Sequence, residues 1–397
     1  MRRKKKRKIN PYFLAVLAVV FLAAGVFGYL EFRKKTEKAS AEAGPERVPS
    51  VSESAVDSFL GVLPAWIEKA PPPPVDMDRL KSQGCVADGL LTEYNPDQGE
   101  FIQLINRSSC YYLHRSVETW LKPPDFEVIE KNMAQISKSD VVYGMFIAEA
   151  IRFKDGYEDD DGHVFNFRKM CHEDTMNEWG ERTCVPTFSS SEYRRYIKYI
   201  TRKAIDLGVQ SFTFGQIYMQ ESGKKDYAPE IVKDIRSYAK KKGMDVVIGA
   251  QTGSITDEKY LELFDYIEGG VGIDAAGNIE DGPCLSSRGS CWALLWNKAY
   301  ASKAKNVLLH LDWTGISSDD LDIFARMDEK TRAKTLRKLY KYFDSKKNMG
   351  FLMPYFGVLY KENGGCYGPK KGFYSPSDAY SCKDEDVIDG LLSKGGR

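Results

Sequence analysis

From residue 120 onward, short apolar runs alternate with amphipathic ones, and this alternation constrains the fold of the 397-residue chain more than any other feature. Phe126–Ile136 has helical periodicity, and Asp140–Ala148 (DVVYGMFIA) is an apolar run of strand length. Ser189, Ser190, Ser191 and Glu192 supply a capping box. The helix it opens puts Tyr193, Tyr196, Ile197, Ile200 and Ala204 on one face, and Gly208 stops it. Strands follow at Gln210–Ile217, Asp245–Gln251, Tyr266–Ile273, Asn306–Trp313 and Gly350–Phe356. Helices at Pro229–Lys242, Glu258–Phe264, Trp292–Lys303 and Glu329–Ser345 separate them. An earlier strand lies at Val86–Leu91 or Tyr111–His114, and a short helix near Asp386–Leu392 ends the pattern. Strands and helices alternating in this way place the chain in the α/β class. They fit a (β/α)8 TIM-type barrel better than an open doubly wound sheet. No glycine-rich phosphate loop follows a strand, which removes the commonest reason for an open nucleotide-binding sheet. The eighth unit is not legible, so the pattern also admits an incomplete barrel.

The N-terminus has a different character. Arg2 to Lys8 are seven consecutive basic residues, and Pro11 to Leu30 carries no charge. As a helix, about 20 residues rise roughly 30 Å, the thickness of a hydrocarbon core. The positive-inside rule keeps residues 1–10 in the cytosol as a basic tail and makes 11–30 a single-pass signal anchor. The chain beyond it is then extracytoplasmic, with a Ser- and Pro-rich linker at 31–78 and the barrel domain at 79–397. The stretch Pro71, Pro72, Pro73 and Pro74 reads as a stiff spacer. Residues 1–35 hold a net charge of +9, which leaves about −8 on the exported part of a chain with net +1. That sign lacks the footprint of a nucleic-acid partner.

Eight cysteines lie beyond the apolar segment. They fall into four short-range couples: Cys85 with Cys110, Cys171 with Cys184, Cys284 with Cys291, and Cys366 with Cys382. An even count on the exported side reads as a disulfide framework in an oxidising compartment. The couples are expected in segments that leave the strands' C-terminal ends, stapling the rim of the barrel mouth.

In a barrel of this type the working face is made by those C-terminal ends and the loops after them. Period-two parity selects the residues that point inward. It selects Leu308, His310 and Asp312 on one strand, and Glu268, Gly270, Gly272 and Asp274 on another. Gln251 and Glu149 stand at two further strand ends, and Gln216, Tyr218 and Glu221 follow a fifth. Carboxylates converging with amides are what glycosidic cleavage needs: one carboxyl protonates the leaving oxygen, another acts as nucleophile or base. The candidate catalytic residues are therefore Asp312, Glu149, Asp274 and Glu221. Candidate substrate-binding residues are Gln251, His310, Trp313, Gln216, Tyr218, Tyr355 and Arg152. Trp292 is a further aromatic surface that can stack on sugar rings.

With its alternating units, strand-end carboxylates and aromatic strand ends, the chain resembles a glycoside-hydrolase-type barrel over roughly residues 80–360. The resemblance implies a hydrolase of a polysaccharide or glycoconjugate, which the N-terminal segment would anchor to the membrane. Its large retaining clan carries an Asn-Glu pair after one strand. Here the fourth legible strand ends in Gln251, and no strand ends in such a pair. The alternative reading is thus a barrel that binds a glycan or cell-envelope polymer without cleaving it. The residues imply no cofactor. His114, His163, His172 and His310 show no HxxxH or HExxH spacing. The acidic run Asp155–His163 is the one candidate for Ca²⁺.

Overall fold

A computed structural model describes residues 71–395 except 93–97, 155, 222–224, 254, 256, 280–302, 314–318, 360–365, 367–371 and 381. The anchor at 11–30, the linker to residue 70 and all but the last residue of the helix expected at Trp292–Lys303 lie outside those residues. Among the described residues no helix is long and apolar enough to cross a membrane.

Twelve described strands occur in the order β1 (Gly84–Ala87), β2 (Tyr112–Glu118), β3 (Val142–Ile147), β4 (Ile151–Arg152), β5 (Thr183–Cys184), β6 (Ser211–Phe214), β7 (Val247–Ala250), β8 (Tyr266–Gly270), β9 (Val307–His310), β10 (Met349–Phe351), β11 (Met353–Val358) and β12 (Phe373–Tyr374). One sheet runs β10-β9-β8-β7-β6-β3-β2-β1-β11-β12, while β4 and β5 pair separately. All its pairings are parallel except that of β11 with β12. Only Leu352 separates β10 from β11, and its amide donates to Leu309 O at 2.8 Å. The first half of that segment pairs with β9, Met349 opposite Val307. The second half pairs with β1, Met353 opposite Cys85. The strand order therefore comes full circle, in an α/β fold of the TIM type. Both early candidate strands exist, as β1 and β2, and the stretch around Leu352 supplies the eighth position.

Of the helices expected from periodicity and caps, those within the described residues form, among them Phe126–Met133, Ser191–Asp206, Ala228–Lys241 and Glu329–Asp344. Gln98–Arg107 and Asp320–Ala325 were not expected. Ser191–Asp206 buries Tyr193, Tyr196, Ile197, Ile200 and Ala204, and Gly208 at φ +96° lets the chain leave it. The capping box is not formed as expected. Ser190 caps Tyr193 N at 3.3 Å, whereas the Glu192 carboxylate accepts from Asn166 N at 2.8 Å and lies 3.0 Å from His163 Nε2. Glu192 is one residue short of the position that reaches back to the cap. The helix Glu329–Asp344 carries a buried charge: Arg332 donates to Asp384 Oδ2 at 2.8 Å and Met327 O at 2.7 Å, and also to Cys382 O. Tyr374 donates to the same Asp384 oxygen at 2.9 Å. This cluster fastens the tail after β12 to the helix layer.

The entering chain packs beneath the strands' N-terminal ends. Pro73 O accepts from Gln210 Nε2 at 2.8 Å, immediately before β6. The proline stretch is thus docked on the barrel and does not stand clear as a spacer. The helix Met77–Ser82 follows, capped by Asp76 and burying Leu80.

Three disulfides join described cysteines, Cys85–Cys110, Cys171–Cys184 and Cys366–Cys382. The fourth expected couple, Cys284 with Cys291, lies outside the described residues: both Cys284 and Cys291 fall within 280–302. Cys171–Cys184 braces the long segment after β3, and Cys366–Cys382 the tail after β11, as expected for the rim. Cys85–Cys110 does not belong there. Cys85 lies within β1, and Cys110 just before β2, so this bond ties the barrel near its floor.

Candidate functional site

A hydrogen-bonded chain of polar side chains crosses the barrel's C-terminal half. Glu149, two residues beyond β3, is buried, and one of its oxygens accepts from Gln216 Nε2. Gln216 follows β6 in a left-handed conformation, φ +30°, ψ +53°, which an L-residue adopts only when its surroundings hold it. They do. Its amide donates to Gln251 Oε1 at 3.1 Å, and its own Oε1 accepts from Tyr218 OH at 3.0 Å. Gln251 Nε2 then donates to Glu268 Oε1 at 2.9 Å. The other oxygen of Glu268 lies 3.0 Å from His114 Nε2. His310 stacks on His114 with ring centroids 6.0 Å apart and meets Trp313 edge-on at 4.7 Å.

Below this layer Tyr266 OH bonds Thr213 Oγ1 at 2.7 Å, Ser211 Oγ at 2.9 Å and Tyr112 OH at 3.1 Å. Tyr112 in turn reaches His114 Nδ1 at 3.0 Å. The Tyr266 ring occupies the space that a side chain at Gly249 would fill. Gly249→Ala is therefore expected to destabilise the fold by about 1–3 kcal/mol through overpacking. A lower urea midpoint at unchanged m-value is the readout, and an unshifted midpoint counts against the close fit.

Electrostatics sort the carboxyls. Burial pushes Glu149 up to about 7, with Arg115 and Gln216 opposing. One of its oxygens has no hydrogen-bond partner, and it lies where a Cβ on Gly215 would sit. Burial, with the neighbouring Asp319, also lifts Asp312 to about 7. Asp312 follows β9 and packs against Gly270, whose missing Cβ would stand 2.9 Å from the Asp312 Cβ. Glu268 goes the other way. Burial opposes its charge, but His114 and His310 outweigh that and bring it down to about 2. Burial lowers His310 to about 4.

A second group at the same end comes from β1 and β2. The ladder between β2 and β3 slips between Leu113 and Val117, and Arg115 sits in that slip at φ +56°. Its guanidinium lies over the Phe146 ring at 3.7 Å and the Trp313 ring at 4.7 Å. It donates to Glu118 Oε2 at 2.6 Å and approaches Asp88 at 3.6 Å. Asp88 accepts from Trp313 Nε1 at 2.7 Å, and burial, against the pull of Arg115, raises it to about 7. Trp313 is thereby locked at the mouth, with its polar edge facing β1.

Four predicted site residues are not brought to this mouth. Asp274 lies past the end of β8 and closes a turn, accepting from Asn278 N at 2.7 Å and Ala276 N at 2.9 Å. Glu221 caps the helix Ala228–Lys241, accepting from Ala228 N at 2.6 Å and Tyr227 N at 3.1 Å. Tyr355 is buried against the last helix, its hydroxyl 3.0 Å from Asp389 Oδ1. Arg152 pairs in β4 with Thr183. It lines a separate groove of about 910 Å³ with Lys122, Tyr157, Asp160, Tyr199 and Lys203. In the Ca²⁺ candidate loop, Asp159 accepts from Asp161 N and His163 N and pairs with Arg195 at 2.7 Å. Asp160 pairs with Lys203 at 3.1 Å. The protein itself already uses the oxygens of both.

The mouth residues that sequence reasoning did not select are Asp88, His114, Arg115 and Glu118. The signal for His114 was present: Tyr112, His114, Ser116 and Glu118 alternate along β2.

The geometry defines an α/β barrel of the TIM type with a carboxylate- and amide-lined C-terminal mouth. No protein-family model matches the chain, and no curated protein does. Among solved structures it is similar to the GH113 β-mannanase AaManA from Alicyclobacillus acidocaldarius in complex with ManMIm, at 9% identity over 79% of this chain and 97% of that one, TM-score 0.48. A GH113 β-1,4-mannanase aligns at 12% identity over 78% and 96%, TM-score 0.45. The cyclic α-maltosyl-(1→6)-maltose hydrolase from Arthrobacter globiformis aligns at 13% identity over 82% and 79%, TM-score 0.44.

Proposed function

We propose that this protein is a membrane-anchored, extracytoplasmic glycoside hydrolase acting on a polysaccharide or glycoconjugate. Glu149 is its general acid and Asp312 the second carboxyl. The observation that carries this reading is Glu149 itself: a desolvated carboxyl at a strand's C-terminal end, raised to about 7, with one oxygen free of hydrogen bonds. Such a group holds a proton at neutral pH and can deliver it to a leaving oxygen. Tyr218, 38% exposed beside Gln216, offers a ring face for a sugar. Three disulfides support the oxidising compartment, and the uncharged run Pro11–Leu30 supplies the anchor.

A non-catalytic glycan-binding barrel is the second reading, favoured by the amides Gln216 and Gln251 where two strand ends enter the mouth. A glycan array and a reducing-sugar assay on the purified full-length protein separate the two. Release of sugar by the wild type, lost in Asp312→Asn, supports hydrolysis. Binding without release in both proteins selects the binding module.

A further inference from the structure

Three ligand-type atoms converge inside the barrel where glycoside chemistry at Glu149 does not require them. His114 Nε2, Glu268 Oε2 and His310 Nε2 lie within 4.8 Å of one another. All three residues are at most 1% exposed. His310 Nε2 has no hydrogen-bond partner, and His114 Nε2 and Glu268 Oε2 have only each other, at 3.0 Å. A partnerless imidazole nitrogen beside a buried carboxylate in a dry interior is costly unless something lies between them.

The far side of each residue is held. Tyr112 OH is 3.0 Å from His114 Nδ1, Gln251 Nε2 donates to Glu268 Oε1 at 2.9 Å, and Leu311 O is 3.2 Å from His310 Nδ1. The Leu311 carbonyl can only accept, so in neutral His310 the proton sits on Nδ1 and Nε2 presents its lone pair. That lone pair then stands near a carboxylate oxygen, acceptor against acceptor. A cation resolves the conflict. Outer hydrogen bonds that fix the tautomer and orientation of each ligand are the usual support of a metal site.

We propose that His114, Glu268 and His310 bind a divalent transition-metal ion of the zinc class within the barrel. Two imidazoles and one carboxylate suit Zn²⁺ and its late first-row neighbours, not Ca²⁺ or Mg²⁺. Ligands about 2.0–2.1 Å from one ion lie roughly 3.4 Å apart, so the His114–Glu268 pair is already near bonding geometry. Three protein ligands leave a fourth position open. This is the pattern of ions that bind a water or substrate, and not of closed structural sites. The ligands come from β2, β8 and β9, so the site is assembled by strand neighbourhood and has no linear spacing motif.

The test uses untagged full-length protein, stripped with a chelator and dialysed against Zn²⁺ or Co²⁺. The expected result is about one ion per chain by elemental analysis, visible d–d bands with Co²⁺, and a melting temperature that rises with metal concentration. His310→Gln and Glu268→Gln should each weaken binding at least about 100-fold. Wild-type protein that retains no metal, shows no Co²⁺ bands and melts at the same temperature with and without excess Zn²⁺ overturns the proposal. So does full stoichiometry in a folded His310→Gln protein, which would mark an adventitious ion only. The wild type alone gives three readouts, so the proposal can be refuted even where a variant fails to fold.

Discussion

Glu149→Gln lowers kcat by about 10²–10⁴-fold on any glycan that the wild type cleaves, the range that general acid catalysis contributes. KM should change little, because the amide keeps the shape of the carboxyl. In the wild type, activity should fall as pH rises through about 7, where Glu149 loses its proton. The same substitution has a stability signature that does not depend on substrate. Between the ordinary value of 4.5 and about 7 the folded state holds a proton that the unfolded state releases. Stability contributed by this group therefore declines as pH rises through that window and stays low above it. Glutamine removes the dependence. Thermal melts should coincide at pH 4, while at pH 8 Glu149→Gln should be more stable by on the order of 3 kcal/mol. A variant that is inactive and also less stable at both pH values would mean that the residue is structural.

Arg332→Ala should destabilise the fold by about 3–5 kcal/mol, because it leaves Asp384 charged, buried and without its cation. Arg332 is 2% exposed and Asp384 is not exposed at all. Three of the Arg332 hydrogen bonds, to Asp384, Met327 and Cys382, disappear together. By contrast, the exposed pair Lys225–Glu230 at 3.5 Å should yield no more than about 1 kcal/mol on truncation. Urea denaturation with the disulfides kept oxidised measures both. The double change Arg332→Met with Asp384→Leu should recover most of the loss, since it removes the charge along with its partner. A loss below about 1 kcal/mol in the single variant would show that water reaches Asp384.

The mouth was legible where a strand is short and regular. Gln251 and His310 were placed by parity, Glu149 and Gln216 by standing at strand ends, and the structure joins Glu149, Gln216 and Gln251 in one hydrogen-bonded chain. Parity failed where it was carried past the end of a strand. β8 ends at Gly270, so Asp274 obeys its turn and not the sheet. β6 ends at Phe214, and the left-handed Gln216 redirects the chain before Glu221. Tyr355 was misplaced because its strand changes partners at Leu352, which no apolar pattern reveals. Arg115 escaped notice because a bulge reverses the alternation at that residue. The staple at Cys85–Cys110 was set on the rim because the couple was expected to flank the first strand, with Cys110 in the segment leaving it. Instead Cys85 lies inside β1 and Cys110 just before β2. Each of these misses is a local departure from a regular strand, and such departures depend on neighbours that a single sequence does not display.

The change of partner at Leu352 also bears on how this chain comes to be folded. β1 is among the first strands to be made and β11 among the last, yet Cys85 and Met353 must lie side by side. Until residue 358 has emerged, β1 and β9 each present an unpaired edge open to association with other chains. Among the described strand pairings the seam also has the largest sequence separation, the kind that slows folding most. The Cys85–Cys110 bond holds β1 against β2 and so gives the waiting edge a fixed register. Loss of that bond should therefore show first as aggregation during synthesis, before any change in the finished protein.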